Sequence, residues 1–285
     1  PKIWIWTTPM MTLPELIRDL EQTVGGDAIL CVHAVNLTTG DSFSHNEWRV
    51  IPTASMIKIA IVDMVSRLVA AGGLSWDDAC KFNNGDIVGG AGVLRYMVSV
   101  RDISLSDAAT LAIVVSDNVA SNLCLDALGG AAVATAMLRR TWDIESTIIN
   151  RPITMTPAPD DDEHTAQSTA FDLVTIASHL TSDTLERMEK CIDGRMLTKW
   201  LPLSWAIEPP KSVCKVAHKP GWIESLRGDV GVINVDGNRV VMAVAIDNLP
   251  PGHMHQGNDA DAAVATVSAK VLEALVPGFK SLLKD

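Results

Sequence analysis

The chain has 285 residues, of which 47% are hydrophobic and 20% charged, as in a globular protein with a sizeable core. Its 34 acidic and 23 basic residues leave a formal net charge of −11, which argues against nucleic acid and anionic membrane surfaces as partners because phosphate groups would repel the protein. No apolar run reaches the roughly 18 residues that a membrane span needs. At this length we expect one large domain or two small ones.

The cysteines are spread along the chain without any C-x-x-C pair, at Cys31, Cys80, Cys124, Cys191 and Cys214. We interpret them as buried free thiols of a reducing compartment, since none lies in a recognisable zinc or catalytic pattern. Residues 1–6 lack the long apolar core of a signal peptide, which favours a cytoplasmic location. Histidines two apart in a loop, such as His253 and His255, are seldom metal ligands, so we expect neither metal nor cofactor.

The N-terminal part of the chain alternates between helical and β patterns. Residues 12–24 have the pattern of a helix with Thr12 at its N-cap. Residues 28–35 and 42–48 are β-prone segments joined by a turn, which predicts a hairpin. The apolar residues that follow Ser55 surround most of a helix, so this helix should be largely buried.

Helices and loops dominate from residue 74 to residue 210. The predicted helices cover residues 105–115, 119–128, 131–142, 168–180 and 183–192, with Ser168 and Asp183 as N-caps of the last two. A polar, proline-rich connection covers residues 148–167, and loops of that length are usually functional or disordered. Three strands are predicted at residues 213–217, 229–235 and 240–246, and a helix at residues 259–275 closes the chain.

Strands therefore come from both ends of the chain and enclose a helical block. This order predicts an α+β fold in which a five-stranded antiparallel sheet, built from both chain ends and flanked by the terminal helices, lies beside an inserted all-helical domain. The sheet part would comprise residues 1–54 and 211–285, and the helical part residues 55–210. An active site would lie in the cleft between the two parts.

Ser55 and Lys58 are three residues apart at the start of the buried helix. Side chains with this spacing lie on one helical face, so a hydroxyl nucleophile can meet an amine base. Backbone N–H groups of a first helical turn lack intrahelical partners and can donate to an oxyanion. The spacing alone is not specific, because Ser212/Lys215 and Ser281/Lys284 repeat it and Ser55 could be a plain N-cap.

Two further motifs occur once each, and both follow Ser55: Ser116-Asp117-Asn118 and Lys219-Pro220-Gly221. Penicillin-recognising serine enzymes carry S-x-x-K, S-D-N and K-T-G in this order. The chain therefore resembles the class A β-lactamase and penicillin-binding protein superfamily, and the likeness covers nearly all of its length. Taken singly, the second motif could be a pair of helix caps and the third an exposed turn.

The resemblance implies a role for each catalytic side chain. Ser55 would be the nucleophile, and Lys58 would be its base if burial and the nearby charge of Lys219 lower the pKa of its amine. Ser116 would relay a proton to the leaving nitrogen. The oxyanion would be held by the backbone N–H groups of Ser55 and Trp222.

The resemblance also implies which residues bind substrate. Asn118 would contact the substrate amide, and Lys219, in the motif that ends at Gly221, would hold a carboxylate. Pro220 replaces the threonine of K-T-G and removes both a hydroxyl and a backbone N–H. Either Arg227 compensates for this loss, or the substrate lacks a carboxylate at that place.

A second departure concerns the water that would release the acyl group. Class A β-lactamases use an omega-loop glutamate for this step, whereas residues 150–153, at the corresponding place, contain no carboxylate. The nearest are Glu145 and the cluster at residues 160–163, which we interpret as a solvated acidic loop. The alternative is that Glu163 or His164 enters the site.

These observations predict a serine hydrolase that cleaves a small amide, lactam or ester through an acyl-enzyme on Ser55. One alternative is a class A-like β-lactamase. Another is a penicillin-binding or sensing module that is acylated once and does not turn over. The sequence leaves the oligomeric state open.

Overall fold

The computed structural model describes residues 11–154, 164–201, 214–253, 255 and 257–282. Helices are α1 Leu13–Val24, α2 Lys58–Ala70, α3 Leu105–Val114, α4 Asn118–Ala127, α5 Ala131–Trp142, α6 Ala170–Ser178, α7 Ser182–Met188, α8 Asp259–Leu275 and α9 Phe279–Leu282. Strands are β1 Ile29–Asn36, β2 Ser42–His45, β3 Ile51–Pro52, β4 Ala79–Lys81, β5 Asp102–Ser104, β6 Ile148–Ile149, β7 Ala166–Ser168, β8 Cys214–Ile223, β9 Leu226–Val235 and β10 Asn238–Asp247. Short 3-10 turns occur at Ala54–Ile57, Asn84–Asp86 and Leu94–Tyr96.

The predicted α+β fold is confirmed in the described part of the chain. An antiparallel five-stranded sheet has the order β2-β1-β10-β9-β8, so strands from both chain ends lie side by side. The predicted hairpin is β1 with β2, and β1 also pairs with β10 through Val32 and Val244. Smaller sheets are formed by β3-β7-β6 and by β4-β5.

The central strands are buried on both faces because each face packs against a separate layer of helices. Along β10 the side chains alternate between these layers, as the two-residue period of a strand requires. Those packed with α1 and α8 are Val240, Met242, Val244 and Ile246. Those packed with the α2–α7 block are Val241, Ala243 and Ala245.

The start of α2 is where the helical block meets the sheet. The 3-10 turn Ala54–Ile57 leads directly into α2, whose first nine residues are buried. The expectation of a largely buried helix after Ser55 is therefore confirmed. Within the described residues, no single helix is long and apolar enough to cross a membrane. The bent pair α4 and α5 meets that criterion when the two helices are taken together, by length and composition only.

The predicted caps of α6 and α7 are wrong by one or two residues. Thr169 accepts from the backbone N–H of Asp172, and Thr181 accepts from that of Thr184. Ser168 belongs instead to β7, where its hydroxyl pairs with Thr147 at 2.7 Å. Both helices also end earlier than predicted, at Ser178 and Met188.

The structure also changes the predicted connection after α5 and the predicted strand at residues 213–217. The connection at residues 148–167 contains β6 and β7, which pair with each other, while the acidic cluster at 160–163 lies outside the described residues. The strand predicted at 213–217 continues to Ile223 as β8. The motif Lys219-Pro220-Gly221 is therefore part of a strand and not an exposed turn. Pro220 is accommodated because β8 is an edge strand of the sheet.

Candidate active site

Lys58 is fully buried at the first turn of α2 and joins two of the predicted motifs. Its Nζ donates to the backbone oxygen of Ser116 at 2.7 Å, to Ser116 Oγ at 3.1 Å and to Asn118 Oδ1 at 2.8 Å. The structure therefore brings the amine of the first motif into direct contact with the second motif.

The surroundings of Lys58 lower the pKa of its amine. Burial is the largest cause that lowers the pKa of this amine, and the charge of Lys219 adds to it, so the pKa lies well below its ordinary value. Lys219 is also buried, and desolvation lowers its pKa too, against the opposing effect of Cys191 and Asp229. A lysine with a depressed pKa can act as a base near neutral pH.

Ser55 lies half-buried in the 3-10 turn before α2, held close to β8. A Cβ at Gly221 would lie 2.7 Å from the backbone oxygen of Thr53 and 2.9 Å from the nitrogen of Met56. Only glycine permits this approach without displacing one of the two backbones. Ala54, directly before Ser55, has a φ of 45°, which is uncommon for a residue with a side chain.

The second motif forms the junction between α3 and α4. Ser116 has a φ of 55°, and Asp117 caps α4 by accepting from Ala120 N at 3.0 Å. The same carboxylate accepts from Val93 N at 2.6 Å and Leu94 N at 2.8 Å. Asp117 is thus a structural residue that fixes Ser116 beside Lys58.

Asn118 connects the same junction to the preceding glycine-rich loop. Its Nδ2 donates to the backbone oxygen of Gly89 at 2.9 Å while Oδ1 accepts from Lys58. Gly92 lies against Asp117, where a Cβ would come within 2.3 Å of the carboxylate. This contact explains why the loop at residues 89–94 carries glycine at that point.

A cavity of about 380 Å³ opens between the α3–α4 junction, β8 and the segment after α7. The residues with polar, charged or aromatic side chains in its wall are Ser116, Cys191, Asp193, Arg195, Lys219 and Trp222. The structure therefore places the predicted residues Ser116, Lys219 and Trp222 at one pocket. Ser55 is not among the described lining residues.

Arg227, the residue expected to compensate for Pro220, is buried within the fold. Its guanidinium is buried, lies 3.3 Å from Asp261 Oδ1 and donates to the backbone oxygens of Ile223, Leu226 and His253. Arg227 pairs with Trp222 on the neighbouring strand and is not among the described residues that line the cavity. Compensation for Pro220 by Arg227 therefore stays a prediction.

Arg195 is the arginine of the cavity wall, and the sequence analysis missed it. Its guanidinium lies 5.1 Å from the ring centroid of Trp222 and bonds Asp193 at 2.6 Å. Desolvation raises the pKa of the Asp193 carboxyl, but the hydrogen bonds and charge of Arg195 outweigh it and lower the pKa overall. Arg195 lies in the sequence Asp-Gly-Arg, which belongs to none of the three motifs, so the sequence offered no reason to select it.

The described residues supply no omega-loop carboxylate to this cavity. Asn150 binds the backbone oxygen of His164 at 2.8 Å, and Ile153 exchanges hydrogen bonds with the side chain of Asn122. Glu145 and His164 are both exposed. Glu163, the other candidate, is outside the described residues. Asp193 is the carboxylate that the described part of the chain does place in the wall.

The cysteines are free, but they are not equally buried. Cys31, Cys124 and Cys214 are buried as predicted, whereas Cys80 and Cys191 are half-buried and Cys191 lines the cavity. Among the described residues, no group of three or more His, Cys, Asp or Glu side chains has a geometry that could hold a metal ion.

Comparisons with known proteins find related sequences and structures. A family model described as the beta-lactamase enzyme family matches residues 13–275. A β-lactamase from Rhodobacter capsulatus is 28% identical over 178 residues, which are 62% of this chain and 60% of that protein. The match thus spans less than two thirds of this relative's own length.

Solved structures share the fold over almost the whole chain. A β-lactamase from Sphaerobacter thermophilus DSM 20745 superposes with a TM-score of 0.79 at 23% identity, covering 92% of this chain and 96% of that one. A mutant of PBP-A, solved as an acyl-enzyme complex with penicillin G, superposes with a TM-score of 0.75 at 25% identity, covering 94% and 98%.

Proposed function

The chain belongs to the beta-lactamase enzyme family, and from this premise we propose that it is a serine hydrolase that cleaves a small amide, lactam or ester through an acyl-enzyme on Ser55. The observation that carries the proposal is the buried Lys58, held by Ser116 and Asn118 one helical turn after Ser55. Its depressed pKa makes it a base for the serine hydroxyl.

The proposed acylation step moves one proton through this group. Ser55 Oγ attacks the substrate carbonyl carbon as its proton passes to Lys58 Nζ. The backbone N–H groups of Ser55 and Trp222 hold the oxyanion that forms. Lys58 Nζ then gives this proton to Ser116 Oγ, 3.1 Å away, while Ser116 passes its own proton to the leaving group and the scissile bond breaks.

The cavity favours a substrate that carries an anionic group. Lys219 and Arg195 both line it, so a carboxylate can be held there without the threonine that Pro220 replaces. Trp222 supplies an apolar wall next to these cations. Asn118, whose side chain bridges Lys58 and Gly89, would position the substrate amide through the same loop.

A β-lactam substrate is the second candidate within the same mechanism. A mutant of PBP-A forms an acyl-enzyme with penicillin G, and the family carries the β-lactamase description. The specific observation against fast β-lactam turnover is that residues 150–153 offer no carboxylate to activate water. A stalled acyl-enzyme, as in a sensor, is the outcome expected if no other group replaces it.

The test compares the parent protein with Ser55→Ala and, as a matched control, the exposed serine variant Ser281→Ala. Each is mixed with a penicillin, a cephalosporin and an activated ester, and adduct mass and product are followed in the same samples. We expect Ser55→Ala to lose the adduct and about 10⁴-fold or more of the turnover, while Ser281→Ala matches the parent. A folded Ser55→Ala variant that hydrolyses substrate as well as the parent would refute the mechanism.

The same experiment separates the candidates. Continued product from the ester without β-lactam turnover supports a hydrolase of another substrate, and continued product from the penicillin or the cephalosporin supports a β-lactamase. A lasting adduct at one equivalent without further product supports a sensor.

A further inference from the structure

Cys191, His218 and Asp229 form a connected group of side chains beside the proposed catalytic residues. His218 Nδ1 lies 3.1 Å from Asp229 Oδ2 and 3.2 Å from Oδ1, and the side chains are 4% and 0% exposed. The Cys191 thiol and the His218 side chain interact, and each shifts the pKa of the other. The order is thus thiol, imidazole and carboxylate, in which the carboxylate orients the ring and stabilises its charged form.

The sheet holds this group in place. His218 on β8 and Asp229 on β9 are diagonal neighbours, because His218 pairs with Gly231 and Pro220 pairs with Asp229. Gly231 makes room, since a Cβ there would lie 3.1 Å from His218 Cβ. Asp229 Oδ2 also accepts from the backbone N–H of Leu197 at 3.1 Å, which fixes the carboxylate from the other side.

The charges around Cys191 favour its thiolate. Burial raises the pKa of this thiol, but His218 first and Lys219 next lower it, so that the pKa lies below its ordinary value. Desolvation lowers the pKa of His218, but Asp229 and Cys191 raise it well above its ordinary value. The remaining charged groups in this wall of the cavity are Asp193 and Arg195.

The other cysteines provide an internal contrast. Burial raises the pKa of Cys80, Cys124, Cys31 and Cys214, the last two to about 12. Cys191 alone among these five thiols has a lowered pKa, and it also lines the cavity. Thiolate character and access together determine which cysteine reacts.

We propose that Cys191 is a second nucleophile of this pocket, a modification site at which a small carboxylate-bearing disulfide forms a mixed disulfide, with His218 and Asp229 holding it as the thiolate. The Cys191 sulfur attacks one sulfur of the disulfide, and the old S–S bond breaks with its electron pair on the departing sulfur. The departing thiolate takes a proton from the His218 imidazolium or from water. Lys219 and Arg195 in the same wall select an anionic reagent.

This step uses neither Ser55 nor Lys58, so it extends beyond the proposed hydrolase. The probe is dithiobis-nitrobenzoate, whose released thiolate is followed by absorbance while the modified cysteine is identified by peptide mass spectrometry. We compare the parent with Cys191→Ser, His218→Asn and Ser55→Ala, and with Cys80→Ser as the matched control for the other half-buried cysteine.

We expect one fast equivalent that maps to Cys191 and reacts at least about 10-fold faster than Cys80. Cys191→Ser should abolish this phase and His218→Asn should slow it, while Cys80→Ser and Ser55→Ala should leave it unchanged. A fast phase that survives Cys191→Ser, or that maps to another cysteine, overturns the proposal.

If His218→Asn does not fold, a pH series on the parent tests whether Cys191 is held as the thiolate. The rate of a thiol rises roughly tenfold per pH unit below its pKa and then levels off, so a thiol with a lowered pKa reaches its full rate at a lower pH. The rate at Cys191 should therefore level off at a lower pH than the rate at Cys80, and the same pH dependence at both cysteines contradicts the proposal. Because Ser55→Ala keeps the fast phase, failure of the hydrolase and failure of this site give different results.

Discussion

Lys58 shows how a single residue determines the chemistry that the site can support. A buried ammonium is costly unless it is paired, and here its partners are neutral oxygens of Ser116 and Asn118 instead of a contacting carboxylate. Burial and the charge of nearby Lys219 lower the pKa of this amine. The surroundings that lower the pKa of Lys58 also allow its amine to act as a base.

We predict that Lys58→Arg lowers the rate of Ser55 acylation by about 10²-fold or more, because a guanidinium cannot accept the serine proton. In the parent, the acylation rate should fall as the pH drops through the lowered pKa of Lys58, because the protonated amine can no longer accept the proton of Ser55. Stopped-flow acylation by an activated ester measures both effects.

The matched control is Lys215→Arg, the lysine of an incidental Ser-x-x-Lys spacing. Its side chain is half exposed and pairs with Glu189 at 3.6 Å. This variant should keep the rate and pH profile of the parent. If Lys58→Arg also keeps them, the base is another group.

At the scale of elements, the contact between β8 and the Ser55 turn decides the geometry of the site. Gly221 lies so close to Thr53 and Met56 that a residue with a side chain would not fit there. The same strand carries Lys219 into the cavity wall and His218 toward Cys191. A shift of β8 would therefore disturb the serine, the cation and the thiol together.

We predict that Gly221→Ala destabilises the protein by about 1–3 kcal/mol, as overpacked sites do, and lowers the acylation rate by moving β8 away from Ser55. The control is Gly73→Ala, where the nearest atom to an added Cβ is 3.6 Å away. Thermal unfolding and acylation kinetics are measured on both variants. Equal melting temperature and rate for Gly221→Ala and the parent would show that the contact is not a constraint.

At the scale of the whole molecule, the cavity is assembled from parts that the sheet brings together. The α3–α4 junction supplies Ser116, the edge strand supplies Lys219, and the segment after α7 supplies Cys191 and Arg195. Both the proposed serine chemistry and the proposed thiol modification therefore use the same space of about 380 Å³.

We predict that a mixed disulfide at Cys191 blocks ester turnover, because the added group occupies the substrate cavity, and that a thiol reductant restores it. Cys191→Ser should turn over the ester normally and be insensitive to dithiobis-nitrobenzoate, while Cys80→Ser should remain sensitive. Initial rates before and after treatment measure this. Full turnover by protein modified at Cys191 would place the substrate path elsewhere.

Much of the fold could be predicted because local signals agree with the tertiary structure. The helix at residues 131–142 and the helix at residues 259–275 have the predicted bounds, since an apolar period of a helix coincides with clear end signals. The caps at Ser168 and Asp183 were wrong because neighbouring threonines compete for the same role, and only packing selects Thr169 and Thr181.

The sequence by itself determined the family resemblance, the α+β order of elements and the residues of three ordered motifs, because these depend on residue type and spacing along the chain. Only the tertiary structure decided that β8 extends through Pro220, that Arg195 and not Arg227 lines the cavity, and that Cys191 meets His218. The two arginines differ because Asp261 and backbone oxygens hold Arg227 inside the fold. Such contacts join residues far apart in the chain, so no local sequence pattern could predict them.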